Sequence, residues 1–168
     1  MSQVYWVGSV GSGRLGLMPR PEGGSKLAGE VRALKKEGVD RLVSLLPVEE
    51  ARQLGLAEEA SACAKADIVF ESFPIEDFEV PDELESAIAF LRELIAHLNK
   101  GESVVIHCLG GIGRSGMMTA GVLVLTGIPP EEAIDRVSDA RQLTSPDTRE
   151  AREWVLKLGK IWKARHAF

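Results

Sequence analysis

A cysteine, three glycines, an arginine and a serine fall between positions 108 and 115: Cys108, Gly110, Gly111, Gly113, Arg114 and Ser115, in the run HCLGGIGRS that begins at His107. A thiolate is a nucleophile and a guanidinium pairs with two oxygens of a phosphate, so these residue types together can carry out displacement at phosphorus. The glycines let a turn curl inward without Cβ clashes. The backbone N–H groups of Leu109, Gly110, Gly111, Ile112, Gly113 and Arg114 then converge on one point at the positive end of a following helix, which makes an anion cradle. A free thiol with a pKa of about 8.5 is only about 3% ionised at pH 7, and the groups that would hold a phosphate also favour the ionised sulfur. Alone, a cysteine closing a buried strand is a small core hydrophobe. Arg114 changes that reading, because a cation at a helix start opposes the dipole unless an anion sits there.

Such a site needs a strand to deliver Cys108 and a helix to start at Arg114. "SVVIH" reads as that strand, and Gly116 to Thr126, apolar all round, as a central buried helix that Gly127, Pro129 and Pro130 break. Elsewhere, short β-branched runs alternate with helical periods, the pattern of an α/β fold: one domain over 1–168, with a central, mostly parallel sheet flanked by helices. "VYWV" and "RLGLM" predict an opening strand pair joined by Gly8 to Gly13. Leu27, Val31 and Leu34 mark a helix ended by Gly38, "DRLVSLL" a buried strand, "AEEASACAKA" a helix and "IVFESF" another strand. Leu84, Ala87, Ile88, Leu91, Leu94, Ile95 and Leu98 give the clearest amphipathic helix. Two helices close the chain, the second expected from Ser145-Pro146 with Ala151, Trp154, Val155, Leu158, Ile161 and Trp162 at core spacing.

Bulk properties narrow the function. With 168 residues, 45% hydrophobic and 27% charged, the chain suits one sizeable core. A net charge of −5 with scattered basic residues argues against nucleic-acid partners. The start has no apolar signal region, and the longest apolar stretch, 116–128, is too short to span a bilayer, so a cytoplasmic protein without a membrane span is expected. Two cysteines and three histidines show neither a disulfide framework nor metal-ligand spacing.

"HCLGGIGRS" has the form H-C-x5-R-S and resembles the phosphate-binding loop of the cysteine-dependent protein tyrosine phosphatases. The likeness is to the small dual-specificity branch, that of the cyclin-dependent-kinase-associated phosphatase, and to compact prokaryotic members. "FPIEDFEVPD" resembles the family's movable acid loop, with Asp77 at the matching position. The resemblance implies that Cys108 attacks phosphorus to form a phosphocysteine and that Asp77 protonates the leaving oxygen and then activates water. It also implies that Arg114 binds the equatorial oxygens, Ser115 helps the sulfur leave and His107 supports the loop. No metal or cofactor is implied, the substrates are phosphorylated proteins, and a monomer is favoured.

Two other carboxylates compete for the acid role. Asp82 opens the amphipathic helix as "DELE", a capping box with Glu85 that would occupy its oxygens, and Glu76 would point away from Asp77 if the loop is extended. Rival functions are weaker. "GSGRLG" and "GIGRSG" spell a dinucleotide fingerprint, but prolines follow the first, and the acid after the second, Asp135, falls in a helix. An inactive phospho-residue-binding module conflicts with the intact Cys108, Arg114 and Asp77. A phosphatase of inositol lipids or small metabolites stays open, although the loop interior carries no lysine. Many relatives have a glutamine where Ala151 aligns, so either Gln142 takes over the orientation of water or the second step is less assisted. Arg20, Glu49, Glu50 and Phe78 are further candidates for the rim, and Cys63 reads as structural.

Overall fold

The computed structural model describes residues 2–167. One sheet holds five strands in the order β1-β2-β5-β3-β4. They are β1 (Tyr5–Val10), β2 (Gly13–Met18), β3 (Arg41–Ser44), β4 (Val69–Ser72) and β5 (Ser103–His107). β1 pairs antiparallel with β2, and every other pairing is parallel. The connector expected at Gly8 to Gly13 is mostly strand. A register shift between Trp6 and Gly8 lets β1 run on to Val10, leaving only Gly11 and Ser12 as the turn, so the polar stretch stays paired at the sheet edge.

Side-chain alternation along the strands makes two cores. Val104 and Ile106 of β5 join Leu15, Leu17 and Val43 in one cluster with α4 (Leu84–Asn99), α5 (Arg114–Leu125), α6 (Pro130–Arg141) and α7 (Arg149–Arg165). Val105 joins Met18 and Leu42 in the other, under α1 (Leu27–Lys36) and α3 (Glu59–Lys65). The same parity sends His107 towards α3 and Cys108 towards the α4–α7 layer. α5 has no polar face because α4, α6 and α7 surround it against the sheet.

Three boundaries differ from the sequence reading. The short helix α2 (Val48–Gln53) was not anticipated; it buries no residue, so no apolar period announces it. α7 begins after Thr148, not at Ser145-Pro146: Thr148 Oγ1 accepts from the Ala151 N–H at 3.1 Å, and the Ser145 hydroxyl is used elsewhere. α4 starts after Glu83 with no side-chain cap, so the capping box at Asp82 does not form. Among the described residues no helix is long and apolar enough to cross a membrane. Met18, Ser44 and His107 are paired neighbours, as are Ser44 and Ser72, so the four parallel strands end on one line. The loops beyond that line form the place where open α/β sheets present their sites.

Candidate active site

Residues 109–113 turn from the end of β5 into α5, and the carbonyls of Leu109, Gly110, Gly111 and Ile112 are tied by groups from other segments. Cys108 O accepts from His107 Nδ1 at 3.1 Å, Leu109 O from the Arg20 amide at 3.0 Å and Gly111 O from Arg141 Nε at 2.8 Å. Ile112 O accepts from the Ser145 hydroxyl at 2.6 Å and Gly113 O from the Met117 amide at 2.9 Å. In a planar trans peptide the N–H points opposite the C=O. Carbonyls drawn outward therefore turn the following amides inward, and among the described residues none of the amides of 109–114 donates to a protein group. Gly111 has φ 69°, and a Cβ there would collide with the backbone of Met18 and Pro19, so glycine is required twice over.

Cys108 is 3% exposed, with Sγ 3.2 Å from Ser115 Oγ. Arg114 is buried, not a surface helix start. Its Nη1 donates to Glu50 Oε1 and to Ile75 O, each at 2.9 Å, its Nη2 donates to Glu50 Oε2 at 2.9 Å, and Asp77 Oδ1 lies 3.4 Å from Nη2. Burial opposes the charge, but the Glu50 hydrogen bonds and the charges of Cys108, Glu50 and Asp77 outweigh it and raise the guanidinium pKa further. Glu50 is thus the rim candidate that reaches the site, while Glu49 bonds Arg52 on the surface. The Arg20 guanidinium turns to Pro21 O, so that residue serves the loop through its backbone. Burial, then the Glu59 charge, pushes the Cys63 thiol up to about 12, which makes it inert.

The segment around Asp77 is a turn, not extended. The Glu79 amide bonds Glu76 O at 3.0 Å, Phe78 has φ 65°, and Asp77 Oδ1 accepts from the Phe78 amide at 3.0 Å. Asp77, Phe78, Arg114, Asp147 and Ala151 wall a cleft of about 200 Å³ that contains Cys108. Glu76 and Asp82 line a separate hollow with Pro47 and Pro74. Position, not a capping duty, therefore separates Asp82 from the cleft. Ala151 occupies the wall where relatives were expected to carry glutamine, and Gln142 sits exposed at the end of α6, away from that wall. Sequence reasoning missed Glu59, Arg141, Ser145 and Asp147. Among the described residues no group of three or more His, Cys, Asp or Glu side chains is placed to hold a metal ion.

Comparison with known proteins agrees with this geometry. The family model described as "Tc-R-P: Polymorphic toxin system, DSP-PTPase phosphatase" matches residues 16–128. Cyclin-dependent kinase inhibitor 3 of Homo sapiens is 37% identical over 76 residues, 44% of this chain and 35% of that protein. The chain spans 29% to 38% of the length of the first curated relatives it matches. A crystal structure of kinase associated phosphatase, with its catalytic-site cysteine replaced by serine, superimposes with a TM-score of 0.84 at 23% identity over 96% of each chain, a likeness of fold. Tk-PTP in its active form gives 0.77 at 25% identity over 94% of this chain and 96% of that one. Since the matched segment runs from β2 through Asp77, the turn after Cys108 and α5, the chain belongs to the DSP-PTPase phosphatase family.

Proposed function

We propose that the chain hydrolyses phosphate monoesters of phosphotyrosine, and of phosphoserine and phosphothreonine, through a phosphocysteine. The observation that carries this reading is the enclosure of Cys108 Sγ by Ser115 Oγ at 3.2 Å, the fixed Arg114 and the unpartnered amides of 109–114. The sulfur attacks phosphorus as the P–O ester bond breaks, and Asp77 gives its proton to the leaving oxygen. Water then attacks phosphorus, Asp77 takes its proton, and the P–S bond breaks while the Ser115 hydroxyl hydrogen-bonds the departing thiolate. Arg114 and the amides neutralise the equatorial oxygens throughout. His107 holds the loop. No cofactor enters these steps.

A cleft of about 200 Å³, with Phe78 at its edge 75% exposed, suits one phosphorylated side chain on a protein. The uncharged interior of the loop, Leu109 to Gly113, favours that substrate over inositol lipids and small polyphosphorylated metabolites, and Cys108, Arg114 and Asp77 lining one cleft favour an enzyme over a binding module. The reading takes 1–168 as one phosphatase domain acting as a cytoplasmic monomer. The test is turnover of p-nitrophenyl phosphate and of a phosphopeptide panel by the wild type and by Asp77→Ala, used as a trap. Release of phosphate from aryl and peptide substrates supports the proposal, and no phosphate release from either overturns it.

A further inference from the structure

His107 is fully buried and both its ring nitrogens face oxygen. Nδ1 lies 3.1 Å from Cys108 O, which can only accept, so Nδ1 carries a proton. Nε2 lies 2.6 Å from Glu59 Oε2, and Glu59, in the first turn of α3, is 2% exposed. A neutral ring protonated at Nδ1 would turn its Nε2 lone pair onto a carboxylate lone pair at that distance, in a dry interior. One further proton must therefore sit between Nε2 and Oε2.

The other side of the ring leads to the cleft. Cys108 C=O and Leu109 N–H belong to one peptide group, so a donor that pulls on the oxygen polarises the N–H opposite, which is the first amide facing the anion. An imidazolium is a stronger donor than a neutral ring. We propose that Glu59 is a positioning residue that keeps His107 cationic, and that this buried pair strengthens the first amide of the phosphate loop through the Cys108 carbonyl. The proposal rests on the phosphatase reading and adds to it a residue outside the cleft.

The charged groups on neighbouring elements leave the pair to itself. Cys63 on α3 is uncharged, Glu30 on α1 accepts from the Ser2 and Glu22 amides, and Arg41 on β3 is committed to Glu71, Glu102 and His97. Cys108 itself is the negative group that a cationic His107 favours. Sequence alone gave no sign of this, because the two partners are separated by 48 positions.

Glu59→Gln keeps the shape and removes the negative charge that favours the second ring proton; its amide N–H can then donate to a bare Nε2, so the ring is expected to become neutral with Nδ1–H retained. The decisive measurement is the ¹⁵N spectrum of the His107 ring at pH 7. Both nitrogens protonated in the wild type, and Nε2 bare in Glu59→Gln, are expected. Inhibition by inorganic phosphate should weaken about fivefold in Glu59→Gln, with a parallel loss in kcat/KM for aryl phosphates and an unchanged Tm to within a few degrees. A bare Nε2 in the wild type overturns the proposal, as does an unchanged phosphate inhibition constant in a folded Glu59→Gln. If the wild type hydrolyses no phosphate ester, the phosphatase reading fails on its own, and the ¹⁵N spectrum still decides where the proton lies.

Discussion

Cys108 and Cys63 are both buried thiols on the same chain, and their surroundings separate them. Cys63 sits among apolar groups beside Glu59, which keeps it protonated, while Cys108 stands in front of unpartnered amides and Arg114. Iodoacetate at pH 6 is expected to modify Cys108 and leave Cys63 untouched, with modification read by mass spectrometry and blocked by inorganic phosphate. Cys108→Ser should abolish turnover. Asp77→Asn should slow it by about 10² to 10⁴, the span of general acid catalysis, and the loss should grow with the pKa of the leaving phenol. A leaving-group series checks that slope, and an equal loss for all phenols would take the proton-donor role away from Asp77.

The turn from Cys108 to Arg114 is an element held by its outside. The sequence made the inner half legible: a β-branched strand, glycines at 110, 111 and 113, Arg114, and an apolar helix are contiguous and carry their own spacing. The outer half was not legible, because its groups arrive from far along the chain. Arg141 reaches Gly111 across 30 positions, Ser145 reaches Ile112 across 33, and Glu50 reaches Arg114 across 64. No periodicity marks such residues. Arg141 in particular ends α6 like any basic last-turn residue, yet its guanidinium also stacks 4.0 Å from the Tyr5 ring. Arg141→Leu leaves a buried carbonyl without its donor, at about 1–3 kcal/mol, and frees the turn to rotate. Its kcat/KM for aryl phosphates should fall about tenfold or more with a modest loss of Tm; an unchanged kcat/KM would show that the loop holds its shape without the clamp.

For the whole molecule, the end of the sheet away from the cleft carries a separate ionic cluster. Arg41, 6% exposed, donates to Glu102 at 3.1 Å and to Glu71 at 2.9 Å, and Glu102 lies 2.7 Å from His97. Burial pushes the Glu102 carboxyl up, but the His97 and Arg41 hydrogen bonds and charges outweigh it and hold it below the ordinary value. A folded-state pKa that is depressed gives stability above the unfolded value of about 4.3, lost as pH falls through the lower folded value. Urea unfolding of Glu102→Gln should therefore show a deficit near neutrality that shrinks as pH drops below about 4, while catalysis at neutral pH is unaffected. A deficit independent of pH would mean that packing, not charge, is what Glu102 contributes.

Phe78 carries a wider consequence. It is 75% exposed and its backbone adopts a left-handed shape that costs a bulky side chain about 1 kcal/mol, which asparagine tolerates far better. Phe78→Asn should thus melt later and work worse on aromatic esters, two traits pulling apart at a single position.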